Sequence, residues 1–183
     1  MRARHPRTPR VDLPTRWLMT DERMGDALWP ALARLPRGAG VVFRHHATPS
    51  AERRRLFVRV RGLARRRGLV LVRAGDERMR GEQGVHNRRG AGIVTWAAHS
   101  RREAIAGLRA GASVVFVSPV LHTRSHPGAR ALGRVRAAWI AATTYRPGVA
   151  VIALGGMDER RFARLGGPRF VGYAAIDAWM RTR

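Results

Sequence analysis

The chain contains no cysteine and no lysine, few aromatic side chains and only 12 acids. Without cysteine it has no disulfide, no thiol nucleophile and no Cys-type zinc or iron–sulfur site. That composition suits a reducing compartment, and the expectation is a cytoplasmic protein. No apolar run approaches the roughly 20 residues needed to cross a bilayer, so no membrane association is expected. The opening MRARHPRTPR also lacks the apolar stretch of a secretory signal. With lysine absent, all 36 basic side chains are arginine, and the formal net charge is +24. Such a surplus favours polyanions electrostatically. The arginines are scattered, however: Arg53, Arg54 and Arg55, Arg65, Arg66 and Arg67, and Arg160, Arg161 and Arg164 fall on the expected solvent faces of different helices. No helix-turn-helix, zinc finger or aromatic RNA-binding strand accompanies them. A solvated basic surface is therefore read, with nucleic acid not the main partner.

Apolar residues, in contrast, make up 45% of the 183 positions, enough to bury the core of a single domain. Eight apolar, β-rich segments follow one another: 16–21 (RWLMTD), 40–45 (GVVFRH), 69–74 (LVLVRA), 84–87 (GVHN), 93–99 (IVTWAAH), 113–119 (SVVFVSP), 149–156 (VAVIALGG) and 169–176 (RFVGYAAI). Several are continuous apolar runs, the pattern of strands covered on both faces. Helical patterns lie between most of them: 24–35, the Arg-rich stretch from Ser50 to Gly68, 129–144 and 158–165, and a helix opened by Ser100 and Glu103 in capping-box spacing. The stretch 76–91 is too short for two full helices, so one connection there is expected to be reduced. Strands alternating with helices predict a parallel sheet, and eight units favour its closure into a compact α/β (β/α)₈ barrel over residues 16–183. Residues 1–15 read as a basic N-terminal arm.

Active sites of such barrels lie on the loops that follow the strands. The seventh segment ends in Gly155, Gly156 and Met157, ahead of a helix, and the eighth in the small residues Gly172 to Ile176. Glycines let backbone amides approach a phosphate, and a helix N-terminus favours its charge. This pair of strand ends points to a phosphorylated small molecule.

The ordered motifs from about Arg16 to Trp179 resemble those of the thiamine phosphate synthase family and its thiazole tautomerase (TenI) relatives. Leu18, Met19, Thr20 and Asp21 match the family's opening strand. Val42, Phe43, Arg44, His45 and His46 align with its Gln-Leu-Arg-x-Lys, and Gly84, Val85 and His86 with Gly-Val-His. Ala97, Ala98, His99 and Ser100 fall at Ser-x-His-Ser. Residues 118–126 fall at Gly-Pro-x-x-x-Thr-x-Thr/Ser-Lys. The resemblance implies a magnesium-assisted transferase that joins a hydroxymethylpyrimidine pyrophosphate to a thiazole phosphate and releases pyrophosphate. It places Arg44, His46 and His126 as catalytic residues facing the pyrophosphate, with Thr123 and Ser125 donating further hydrogen bonds. It places Gly155, Gly156, Ala175 and Ile176 around the thiazole phosphate; His99, at a strand end, and His122 are read as further substrate-binding candidates. It also implies possible homo-oligomers.

Two features depart from the family pattern. Histidines stand at 46 and 126 where the family has lysines, and an unperturbed imidazole is only partly charged at neutral pH. Of the two aspartates that hold magnesium in the family, Asp76 is the single candidate for the first, and 86–91 (HNRRGA) offers no carboxylate for the second. A weakened metal site is expected, with Arg73, Arg88 or Arg89 supplying part of the lost charge. The tautomerase relatives carry a catalytic histidine where this chain has Pro119, with His122 three residues on. A tautomerase-like isomerase and a non-catalytic or regulatory phosphate-binding barrel remain the alternative readings. The histidines, scattered and without accompanying carboxylates, make no zinc set. The tryptophans read as packing residues, except that Trp96 sits on a strand leading towards the site.

Overall fold

In the computed structural model, residues 13–123, 128, 130–166 and 169–180 are described. Eight parallel strands close into a barrel in chain order: β1 (Arg16–Met19), β2 (Gly40–Phe43), β3 (Val70–Ala74), β4 (Gly84–His86), β5 (Ile93–Ala98), β6 (Val114–Val117), β7 (Ala150–Leu154) and β8 (Gly172–Ala175). Closure is made by β1 and β8, with Leu18 opposite Ala175. Every expected strand forms, trimmed by a residue or more at the ends. β2, β6 and β8 are buried along their whole length, because one face lines the barrel and the other lies under helices.

The helices are α1 (Leu28–Arg34), α2 (Ser50–Arg67), α3 (Arg101–Arg109), α4 (Gly133–Thr144), α5 (Glu159–Leu165) and α6 (Asp177–Met180). In place of the single helix expected over 24–35 there is a 3-10 segment, Glu22–Ala27, kinked within itself at Gly25 (φ 46, ψ −130), and then α1. Ser100 caps α3 as expected, its Oγ accepting the Glu103 amide at 3.2 Å, but Glu103 Oε2 reaches one residue past the capping-box amide and accepts that of His99 at 2.9 Å. One reduced connection was expected between β3 and β5, and both are reduced, since neither 75–83 nor 87–92 contains a helix. Each link is shorter than the crossover of about a dozen residues that a helix requires. Gln83 closes the gap instead. Its side-chain oxygen accepts the Leu71 amide at 2.9 Å, and its carbonyl accepts the Ile93 amide at 3.0 Å.

Inside the barrel Trp17 meets Phe116 edge-on at 5.3 Å, and His86 leans on the same ring at 5.8 Å. Gly40 is required beside Trp17, because a Cβ there would lie 2.2 Å from the indole. Trp96 faces outward. Its ring lies where a Cβ on Gly107 of α3 would be, so it fills the strand–helix interface and not the site. Trp139 is half exposed with Arg101 over its face, so it is not a core residue. Pro14 accepts the Trp17 indole N–H at 2.7 Å and Thr15 accepts the Tyr173 amide at 3.0 Å, which ties the chain just before β1 to the barrel. Residues 1–12 of the expected arm lie outside the described residues. No helix among the described residues is long and apolar enough to cross a membrane.

Candidate functional site

The C-terminal rim is built in two unlike halves. The first belongs to β1 through β4 and is charged. Asp21, at the end of β1, is buried, and its carboxylate accepts three bonds from Arg23 and one from Arg44 Nη2 at 2.9 Å. The Arg23 side-chain bonds, helped by the charge of Arg44, outweigh burial and hold its pKa down at about 2. Thr20 Oγ1 accepts the Arg44 amide at 3.0 Å and lies 2.9 Å from His45 Nδ1. Arg44 is therefore fixed at both backbone and side chain, while its buried Nε has no hydrogen-bond partner among the described residues.

Behind Arg44 stands Arg53, which the sequence places on a solvent face of α2. It is buried instead. Its Nη2 donates to the carbonyls of Arg44 at 3.1 Å and Ala74 at 2.6 Å, so the guanidinium joins the ends of β2 and β3. Phe43 lies under it at 5.3 Å. A helix position three residues after Ser50 turns inward as readily as outward, and arginine's long stem covers apolar surface on the way.

His46 is exposed, and its pKa is lowered first by partial desolvation and then by Arg44 and Arg53. The partial charge expected for an unperturbed imidazole is therefore reduced. His86, on β4, points into the barrel and is almost wholly buried; burial, then Arg44 and His46, bring its pKa down to about 3. Its Nδ1 bonds Thr95 Oγ1 at 2.8 Å. Arg73 is buried and held by Glu82 at 2.5 Å and by the Gly75 carbonyl. Asp76 is fully exposed and pairs with Arg88 Nη1 at 2.8 Å.

The second half belongs to β5 through β8 and is made of backbone. His99 Nδ1 lies 2.8 Å from the Ser118 carbonyl, to which it donates. After β6, the Val120 amide donates to the Leu154 carbonyl and the Leu121 amide to Gly155, which seats the 119–123 loop on the end of β7. Gly155 and Gly156 have φ of 95 and 63. A Cβ on Gly155 would stand 2.7 Å from Pro119 Cα, and one on Gly156 would stand 2.5 Å from the His122 carbonyl. The glycines are thus required by loop packing as well as by backbone conformation. Asp158 caps α5 by accepting the Arg161 amide at 2.8 Å. Among the described residues the amides of Gly156 and Ile176, which lie outside the strands, have no backbone acceptor. Ala175 ends β8 and Ile176 follows it, next to this loop, since Leu154 pairs with Ala174.

The structure therefore brings Arg44 and His46 together on one side, and Gly155, Gly156, Ala175 and Ile176 together on the other. His99 lies on the rim between them, His122 is exposed, and Thr123 follows on the 119–123 loop. Ser125 and His126 lie outside the described residues. Asp21, Arg53 and Glu82 are partners that sequence reasoning missed. The signal for Asp21 was its place at a strand's C-terminal end, where barrel chemistry collects.

A parallel (β/α)₈ barrel with a guanidinium-rich half and a glycine half on its C-terminal rim defines a barrel suited to phosphorylated small molecules. Residues 62–178, close to two thirds of the chain, match the TMP-TENI family, described as thiamine monophosphate synthase, and the chain belongs to that family. Among solved structures it is similar to the thiamine phosphate pyrophosphorylase from Pyrococcus furiosus, at 21% identity and TM-score 0.70, covering 92% of this chain and 87% of that one. It is also similar to a protein described as native KDPGal, at 13% identity and TM-score 0.58, covering 97% and 86%. A third is the nitroalkane oxidase from Streptomyces ansochromogenes, at 12% identity and TM-score 0.59, covering 90% and 65%. At these identities the likeness is one of fold. No curated protein matches the sequence.

Proposed function

We propose that the protein is a thiamine phosphate synthase-like transferase, joining a hydroxymethylpyrimidine pyrophosphate to a thiazole phosphate. The observation that carries this reading is the pairing of two anion-accepting halves across one barrel mouth. The amides of Gly156 and Ile176, beside Gly155, suit a terminal phosphate, and the fixed guanidinium of Arg44 suits a second anion opposite them.

In the reaction the bond between the pyrimidine methylene carbon and the diphosphate oxygen breaks. Its electron pair stays on the leaving diphosphate, and the thiazole ring nitrogen forms the new bond to the cation-like carbon. No protein nucleophile is needed, and the site's work is to hold both partners in line and to stabilise departing charge. Arg44, pre-aligned by Asp21 and Thr20, faces that charge, and His46 donates a hydrogen bond beside it. Thr123, Ser125 and His126 complete the diphosphate side in this reading, while His99 and His122 border the mouth. Pro119, where the tautomerase relatives carry their catalytic histidine, favours transfer over tautomerisation.

Complementation tests the reading. Expression in a thiamine-requiring strain that lacks its own synthase is expected to restore growth without added thiamine. No growth from a soluble, well-expressed protein overturns it.

A further inference from the structure

Magnesium prefers an octahedron of oxygens at about 2.1 Å, and the residues at the ends of β3 and β4 do not fit it. Asp76 is engaged by the Arg88 guanidinium. Asn87, which follows β4, spends its side-chain oxygen on the Ala97 amide at 2.7 Å. The other carboxylates nearby are taken: Asp21 by Arg23 and Arg44, Glu77 by Arg53 and Arg54, and Glu82 by Arg73. Among the described residues no three His, Asp or Glu side chains gather to hold a metal ion.

What does gather there is positive charge. Arg88 Nη1 lies 3.3 Å from the Gly75 carbonyl, and Arg73 donates to that same oxygen. On the other face of Gly75, a Cβ would lie 3.5 Å from Arg53 Nη2 and 3.8 Å from His46 Nδ1. Arg53 and Arg73 are buried and committed to carbonyls and to Glu82. Arg88 differs from both. Its side chain is 38% exposed, and its one carboxylate partner among the described residues, Asp76, is fully exposed. An ion pair of that kind contributes little to stability, so the guanidinium can exchange its carboxylate for a ligand anion. Its planar fork matches a phosphate edge.

We propose that Arg88 is a built-in cation for the diphosphate, taking the leaving group beside Arg44 so that the site needs no divalent metal. The proposal rests on the transferase reading above and adds a residue and a metal independence to it. In the bond-breaking step, the electron pair left on the diphosphate is stabilised by two guanidiniums. Asp76 parks Arg88 in the empty site and is not a metal ligand.

The test is calorimetric titration of the full chain with inorganic pyrophosphate, in excess EDTA and again in magnesium. Equal affinity in both conditions is expected. Arg88→Gln should weaken binding about tenfold or more, as loss of a charge-assisted hydrogen bond does, and Arg88→Lys should recover part of it. Asp76→Asn removes a negative charge from an anion site and should bind at least as tightly as the parent. Binding that appears only with magnesium and is lost in Asp76→Asn overturns the proposal, as does no pyrophosphate binding in either condition. Asp76 is fully exposed and Arg88 partly so, and thermal melts confirm that the three variants fold. If pyrophosphate binds through Arg88 in EDTA but the protein forms no thiamine phosphate, the transferase reading fails and this site stands. If thiamine phosphate forms only with magnesium, the reverse holds.

Discussion

Asp21, at the end of β1, holds the Arg44 guanidinium at 2.9 Å from across the β1–β2 gap, and both groups are largely shielded from water. The pair presets an anion-facing arginine before any ligand arrives. Asp21→Ala removes four hydrogen bonds from two arginines and is expected to cost about 2–3 kcal/mol, read by chemical denaturation. The carboxyl has its folded pKa depressed from 3.8 to about 2. Its contribution is therefore fully present above 3.8 and lost as pH falls through about 2. The variant should lack that acid-sensitive component.

Arg53 bridges two strand ends with one planar group, which a lysine cannot do. Arg53→Lys should lower stability by about 2 kcal/mol or more, because one point charge cannot serve the Arg44 and Ala74 carbonyls together. It should also loosen the backbone at Arg44. Denaturation gives the first effect, and hydrogen exchange at the ends of β2 and β3 gives the second.

The fold was legible in the sequence because parallel strands buried on both faces leave continuous apolar runs, such as VVFV in β6 and AVIAL in β7. The Gly155–Gly156 turn was legible for a related reason, since only glycine tolerates both its φ values and its contacts. The missing helices around β4 were harder to see, because the Gln83 bonds that replace them join residues distant in the sequence. Arg53 was misread because no local pattern distinguishes this buried arginine from the seven others on the same helix, none of which is buried. The orientation of Trp96 likewise depends on Gly107, eleven positions away, which leaves room for the ring.

Gly155 and Gly148 both have strongly positive φ, but only Gly155 lacks space for a side chain. Gly148→Ala should cost about 1 kcal/mol from backbone strain alone. Gly155→Ala adds the collision with Pro119 and should cost clearly more. It should also reduce the thermal shift produced by thiazole phosphate, whereas Gly148→Ala should leave that shift unchanged. Paired melts with and without the ligand check both statements.

His86 is kept neutral by burial, with a folded pKa of about 3 against 6.5 when unfolded. The unfolded chain binds the extra proton between those values, so stability is full above 6.5 and declines as pH falls towards 3. His45 and His46 shift in the same direction. His86→Gln should therefore remove only its own share of the slope, up to about 1.4 kcal/mol per pH unit. Urea midpoints measured from pH 7 down to pH 4.5 provide the check.

The most direct measurement is product formation by the purified full chain from hydroxymethylpyrimidine pyrophosphate and thiazole phosphate, followed by chromatography. Thiamine phosphate and pyrophosphate should appear in equal amounts, and the rate should fall in Arg44→Ala. No product from folded protein, with magnesium, with manganese and without either, would contradict the transferase reading.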